Sequence, residues 1–280
     1  MSPSDASALL RAHGLRPLKR WGQNFLCDRN VLERIVRAAE LTPQDRTLEI
    51  GAGLGALTRV LAERSAFVTA VEIDPLLQPI LHETIGDRSN VRLIQADFLE
   101  LDLPNLVDEA FGGEPGVVVA SIPYYITTPI LERLFANKQR IARIVLLVQQ
   151  EVGARLAASP GADAYGAMSV FAQFHTRVEI IGTVSRTVFL PQPEVASAIV
   201  RLTPAKTGTV PVIDEATFFR VVRAAFGQRR KTLANALSGG LKVDRTEVER
   251  VLAAAGIEPC RRGETLSLGE FASIADGWTS

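Results

Sequence analysis

Three features of the sequence predict an α/β fold, a mostly parallel sheet covered on both faces, followed by a small all-α C-terminal domain. Between residues 46 and 148, short apolar runs alternate with amphipathic stretches. The run Glu49-Ile50-Gly51-Ala52-Gly53-Leu54-Gly55 sets a glycine turn between a strand and a helix. From residue 214 onward only helical periodicity remains, beyond a breaker-rich linker at Thr203–Pro211.

Residues 1–20 read as a polar arm containing Pro17, and 30–40 as an amphipathic helix capped by Asp28 or Asn30. Arg46–Ile50 is a strand, Gly55–Glu63 a helix, Ala66–Ile73 a strand and 75–86 a helix. Val91–Gln95, Val117–Ser121 and Arg143–Val148 are further strands, with a helix at 128–137. Strands apolar on both sides and separated by helices belong in a parallel sheet buried on both faces. Helices follow at 149–159 and 165–173. Val178–Val184 and Ala196–Leu202 then suggest an antiparallel hairpin at the sheet edge, joined through Phe189-Leu190-Pro191-Gln192-Pro193. The closing helices are 214–226, 229–238, 244–255 and 267–276. The expected organisation is a Rossmann-like domain over residues 1–205 and a helical domain over 206–280, without internal repeats.

With 280 residues, 47% hydrophobic and 22% charged, the chain can bury a substantial core and is not compositionally disordered. Cys27 and Cys260 match no metal-ligand spacing, which suggests a reducing cytoplasm and no metal. No apolar run approaches the ~18 residues of a membrane span, and a monomer is the default expectation. Net charge is zero, but the distribution is uneven. Arg11, Arg16, Lys19 and Arg20 crowd the arm against Asp5; Lys206, Arg220, Arg223, Arg229, Arg230 and Lys231 stand in a later segment against Asp214 and Glu215. Either cluster alone reads equally well as a solvated face.

Glycines after a strand let a ligand approach the backbone closely, although such a turn alone is weak evidence. Glu72, ending Val71-Glu72-Ile73-Asp74, can accept both ribose hydroxyls of an adenosine cofactor. Asp97, in Gln95-Ala96-Asp97-Phe98, can accept from an adenine amine, and Phe98 can pack on the ring. Nicotinamide dehydrogenases share the first two features. Their fingerprint, however, sets the third glycine five residues after the first, where this chain has Ala56.

The strand Val117–Ala120 runs into Ser121-Ile122-Pro123-Tyr124-Tyr125. An adenine amine is a poor nucleophile because its lone pair is delocalised into the ring. Acceptors that aim the lone pair at an electrophilic methyl serve methylation by in-line placement. The Ser121 hydroxyl and Ile122 carbonyl are candidate acceptors, Pro123 fixes the turn, and Tyr124 offers a stacking face for an extruded base. In isolation the same residues describe only a strand ending in a turn; their place after the glycine loop and the two acidic strand ends favours the site.

Taken together these residues resemble the small-subunit ribosomal RNA adenine dimethyltransferases, relatives of the macrolide-resistance methyltransferases of the large subunit. The resemblance runs from about Gly14 to Phe271. It includes Arg16-Pro17 with Lys19–Leu26, Glu49–Thr58, Val71–Asp74, Gln95–Phe98 and Ile122–Ile126. It continues through Gln150-Glu151-Val152, Ala164-Tyr165-Gly166 with Ser169, and Phe189–Ala198. Phe226 with Arg229–Asn235, and Arg262–Leu266, are similar to the small-subunit branch. The resemblance implies a class I methyltransferase sheet, S-adenosylmethionine as cofactor, and 16S rRNA as partner. The implied target is two adjacent adenosines in a hairpin near its 3′ end, each doubly methylated, in a step linked to small-subunit biogenesis. Cofactor contacts then fall on Gln23, Asn24, Leu26, Gly51, Gly53, Glu72, Ile73, Asp97, Phe98 and Ser121. Phe189 helps to sandwich the flipped base, and Arg16, Lys19, Arg20, Arg223, Arg229, Arg230 and Lys231 touch RNA, several of them along one helical face. The alternatives are a large-subunit enzyme of the resistance type and an assembly factor with weak catalysis. Three positions depart from the family. Ser121 replaces the usual asparagine, Gln150 a frequent lysine, and Ala196 a frequent aspartate.

Overall fold

Helix α1 (Pro3–Ala12) forms where the sequence suggests only a polar arm. The Ser2 side chain accepts the Asp5 N–H (3.2 Å) while the Asp5 carboxylate accepts the Ser2 N–H (2.8 Å), a reciprocal cap. Ala6 and Leu10, one turn apart, are buried and hold the helix to the core. The structure, a computed structural model, describes residues 1–18, 22–122, 126–228 and 230–278.

Next come β1 (Phe25–Leu26) and α2 (Arg29–Ala39), which Asp28 caps by accepting the Val31 N–H at 2.9 Å. Then β2 (Arg46–Ile50), α3 (Ala56–Ala62), β3 (Phe67–Glu72), α4 (Gln78–Ile85) and β4 (Val91–Gln95) alternate. Helix α5 (Leu103–Phe111), absent from the sequence reading, is capped by Asp102 and buries Leu103, Leu106, Val107, Ala110 and Phe111 at helical spacing. Its Pro104 lies in the first turn, where no N–H is needed. The alternation continues with β5 (Gly116–Ser121), α6 (Thr127–Ala136), β6 (Ile141–Gln149) and α7 (Gln150–Leu156). Helix α8 (Ala167–His175) leads into β7 (Thr176–Val184), β8 (Phe189–Leu190) and β9 (Ser197–Pro204).

Seven strands form one sheet in the order β4-β3-β2-β5-β6-β9-β7. β4, β3, β2, β5 and β6 are parallel neighbours, and β9 returns antiparallel to β6. Strands β7 and β9 are neighbours at one end of the sheet, as a hairpin requires. Their connection carries β8, which pairs antiparallel with β1 (Phe25↔Leu190, Leu26↔Phe189). One face of the sheet, with Val68, Ala70, Val117, Val119, Val145 and Ile199, packs under Ile35 of α2 and Leu57 and Leu61 of α3.

The chain divides into two compact units, residues 1–153 with 179–204, and residues 154–178 with 205–280. This departs from the expected division at 205, because 154–178 joins the later helices. Those are α9 (Glu215–Gly227), α10 (Leu233–Leu241), α11 (Arg245–Ala254) and α12 (Leu268–Asp276). Phe174 stacks on Phe218 with centroids 4.7 Å apart, and Tyr165 meets Phe226 edge-on at 5.9 Å. The Tyr165 hydroxyl donates to the Leu266 carbonyl (2.8 Å). Large aromatic side chains place this segment, and their partners lie too far along the chain for periodicity to reveal. Among the described residues no helix is long and apolar enough to cross a membrane, and no cluster suits a metal.

Candidate functional site

The sheet order reverses at β2, which has β3 on one side and β5 on the other. Parallel sheets open a crevice beyond the strand ends at such a point. A cavity of about 430 Å³ occupies it, lined by residues 22–26, the glycine turn, the ends of β3, β4 and β5, and Ile122. That volume is in the range of small-molecule sites.

The glycine turn shapes one wall. Gly51 has φ +84°, and a Cβ there would lie 2.7 Å from the Ser121 carbonyl oxygen. The end of β5 therefore abuts the turn with no room for a side chain. The Gly53 N–H donates to Glu72 Oε2 (2.8 Å) and the Asp74 N–H to Glu72 Oε1 (2.9 Å). Burial raises the Glu72 carboxyl pKa, and these backbone donors pull it back. One donor on each oxygen fixes the carboxylate and leaves each oxygen a lone pair for a vicinal diol. Asp97 Oδ1 accepts the Leu99 N–H (2.8 Å), which leaves Oδ2 for an amine. Phe98 is buried, with the Arg133 guanidinium 5.7 Å from its ring centroid and donating to its carbonyl at 2.8 Å.

Gly22, Gln23, Asn24, Phe25 and Leu26 line the cavity as well. Asn24 Nδ2 donates to the Gly22 carbonyl (3.0 Å), which folds the segment tightly. Both ends of the Gln23 amide are engaged: Oε1 accepts the Leu18 N–H (2.7 Å) and Nε2 donates to Asp74 Oδ2 (2.6 Å). Ile73 and Ser121 line the cavity too, and the Ser121 hydroxyl makes no hydrogen bond among the described residues. Every expected cofactor residue thus lies around one cavity.

The expected substrate residues divide differently. Ile122 is buried beside Ser121, while Pro123 and Tyr124 lie outside the described residues. Phe189 is 5% exposed, packs with the core and is not among the residues that line the cavity. It pairs with Leu26 where β8 meets β1. Of the basic residues, Arg16, Arg223, Arg230 and Lys231 are exposed, and Lys19, Arg20 and Arg229 lie outside the described residues. The shared helical face is corrected. Arg223 sits on α9, but Arg230 and Lys231 occupy the turn before α10, which starts at Leu233.

Two features escaped the sequence reading. The Gln23–Asp74 contact joins residues far apart in the chain, so no local pattern marks it. Glu49 is fully buried in β2, and burial pushes its carboxyl up to about 8. The Thr58 hydroxyl faces it without closing a hydrogen bond of ordinary geometry. Its signal was a carboxylate inside a short strand of a sheet expected to be buried on both faces.

The profile of the family described as ribosomal RNA adenine dimethylase matches residues 15–274. A protein of Moorella thermoacetica named ribosomal RNA small subunit methyltransferase A is 50% identical, over 98% of this chain and 96% of its own length. A Bacillus mycoides protein of the same name is 48% identical over the same shares. Among solved structures, the 23S rRNA methyltransferase ErmE is 29% identical, with a TM-score of 0.70 over 92% of this chain and all of its own. A Plasmodium falciparum dimethyladenosine transferase, 23% identical, shares the fold with a TM-score of 0.76 over 89% of this chain and 95% of its own. The cavity fits the cofactor that such enzymes need, with the Glu72 and Asp97 carboxylates and a glycine turn at its lining. The chain belongs to the ribosomal RNA adenine dimethylase family, and S-adenosylmethionine is its methyl donor.

Proposed function

We propose that this enzyme dimethylates two adjacent adenosines in the hairpin near the 3′ end of 16S rRNA, within the small subunit or its precursor. It acts in the cytoplasm as a monomer, in a step of small-subunit biogenesis. The supporting observation is the 50% identity, over nearly the full chain, to a protein named for the small subunit. The 23S enzyme, by contrast, is 29% identical. The segment Arg230-Lys231-Thr232-Leu233, at the start of α10, also resembles the small-subunit branch.

S-adenosylmethionine, when bound, supplies a methyl on a sulfonium, which an amine nitrogen can attack in line. The protein's part is placement. Glu72 and Asp97 orient the adenosyl group, and the glycine turn admits it. Ser121 Oγ and the Ile122 carbonyl accept hydrogen bonds from the target amine, turning its lone pair toward the methyl. The amine proton leaves after transfer, so no side chain must remove it beforehand. A second round on the monomethylated amine follows the same geometry. The target base is single-stranded or extruded, since unstacking costs a few kcal/mol and a stacked amine is out of reach. The basic positions Arg16, Lys19, Arg20, Arg223, Arg229, Arg230 and Lys231 hold the RNA backbone.

The test is transfer of labelled methyl from S-adenosylmethionine to undermethylated small and large subunits, followed by nucleoside analysis. Dimethyladenosine in the 3′ region of small-subunit RNA is expected. Label confined to large subunits favours the resistance-type reading, and cofactor binding without transfer to either subunit favours the assembly-factor reading.

A further inference from the structure

Glu72 sits at the centre of a hydrogen-bond chain that leaves the cavity in two directions. Toward the glycine turn it accepts the Gly53 N–H. Toward Gln23 the chain runs through Asp74, whose N–H donates to Glu72 Oε1 (2.9 Å). The Asp74 carboxylate, 2% exposed, accepts the Leu76 N–H on Oδ1 (3.1 Å) and Gln23 Nε2 on Oδ2 (2.6 Å). Gln23 in turn accepts the Leu18 N–H (2.7 Å). The glycine turn and Gln23 are therefore joined through Glu72 and Asp74, and Asp74 itself does not line the cavity.

We propose that Asp74 and Gln23 are positioning residues that couple cofactor binding to the order of the N-terminal segment. A diol on Glu72 adds to the two backbone donors and restrains the carboxylate further, which tightens the Asp74 backbone, and Asp74 then holds Gln23 and through it Leu18. By linkage, whatever loosens the segment weakens cofactor binding by the same factor. The proposal rests on the cofactor assignment and not on the RNA target.

The chain has a polarity that allows an isosteric test. In Asp74→Asn the new amide donor faces the Gln23 donor, and one bond is lost. In Gln23→Glu two carboxylates face each other, and the same bond is lost. With both substitutions combined, the carboxylate at position 23 accepts from the Leu18 N–H and from the side-chain amide at position 74. The chain then closes again with donor and acceptor exchanged. The experiment measures amide hydrogen exchange at Leu18 in the full-length protein, with and without saturating S-adenosylhomocysteine. Protection of residues 67–72 in the same sample reports occupancy.

In the wild type the ligand should slow exchange at Leu18 about tenfold or more. Each single variant should keep ligand protection at 67–72 but lose it at Leu18 to within about twofold, with roughly tenfold weaker ligand affinity. The double variant should recover both. Equal Leu18 protection in Asp74→Asn and the wild type would overturn the proposal, as would a double variant that behaves like the singles. Absence of ligand protection at 67–72 in the wild type would instead remove the cofactor assignment on which the coupling rests.

Discussion

Ser121 ends β5 with a short hydroxyl where the family it resembles usually carries a carbonyl on a longer arm. The hydroxyl lines the cavity and has no partner among the described residues, so it can rotate to accept from an incoming amine. An ordinary hydrogen bond is worth about 0.5–1.5 kcal/mol, or roughly a tenfold change in rate. Ser121→Ala should therefore lower turnover about tenfold and leave cofactor affinity within about twofold, as single-turnover kinetics and calorimetry will read. Unchanged turnover would remove Ser121 from the chemistry. Glu49 makes a different prediction. Its folded carboxyl holds a proton up to about 8 because of burial, against an ordinary value of 4.5. The folded state then binds more protons than the unfolded state between those values. The associated stability is full below pH 4.5 and is lost as pH rises toward 8. Glu49→Gln cannot ionise, so its stability relative to the wild type should rise on the order of 4 kcal/mol between pH 5 and 8.5. Parallel pH profiles from denaturant unfolding would show that the carboxyl ionises freely.

The remaining departures meet at a junction of elements. Gln150, the first residue of α7, donates its N–H to the carbonyl of Ala196, just before β9 (2.9 Å). Lysine and aspartate at these two positions, as the family often has, carry opposite charges on residues whose backbones are hydrogen-bonded. A double-mutant cycle on Gln150→Lys and Ala196→Asp should give a favourable coupling of about 0.2–1 kcal/mol, the range of exposed ion pairs. Strict additivity would mean that the side chains do not meet. The same scale shows what sequence pattern can and cannot carry. β2, β3, β4, β5 and β6 were legible because their apolar runs and turn residues are local signals. Helix α1 was not, since only Ala6 and Leu10 mark its buried side and its cap lies in a stretch that otherwise reads as polar. Nor was the pairing of Phe189 with Leu26, because β8 and β1 are remote in sequence. The glycine turn, Glu72 and Asp97 stand out in the sequence because each follows or ends an apolar strand, and the structure brings them around one cavity. The Gln23–Asp74 contact required the fold.

At the scale of the whole chain, charge balances to zero, so bulk attraction cannot explain RNA affinity. The unit formed by residues 154–178 and 205–280 could not be delimited from sequence, because its core joins Tyr165 and Phe174 to aromatic residues of α9. Its cations were legible as a cluster, although not as one helical face. Arg223 on α9 and Arg230 and Lys231 in the turn before α10 are exposed. If each neutralises a phosphate, binding releases a counterion per contact, and log affinity falls linearly with log salt. The slope is about 0.7 to 0.9 per contact, depending on whether the strand is single or paired. Replacing all three by alanine should make the slope for small-subunit binding shallower by about 2–3, while cofactor affinity stays unchanged, because none of the three lines the cofactor cavity. A weaker variant with an unchanged slope would mean that these cations act through shape or folding and not through phosphate. A wild-type affinity independent of salt would place recognition in contacts other than the RNA backbone.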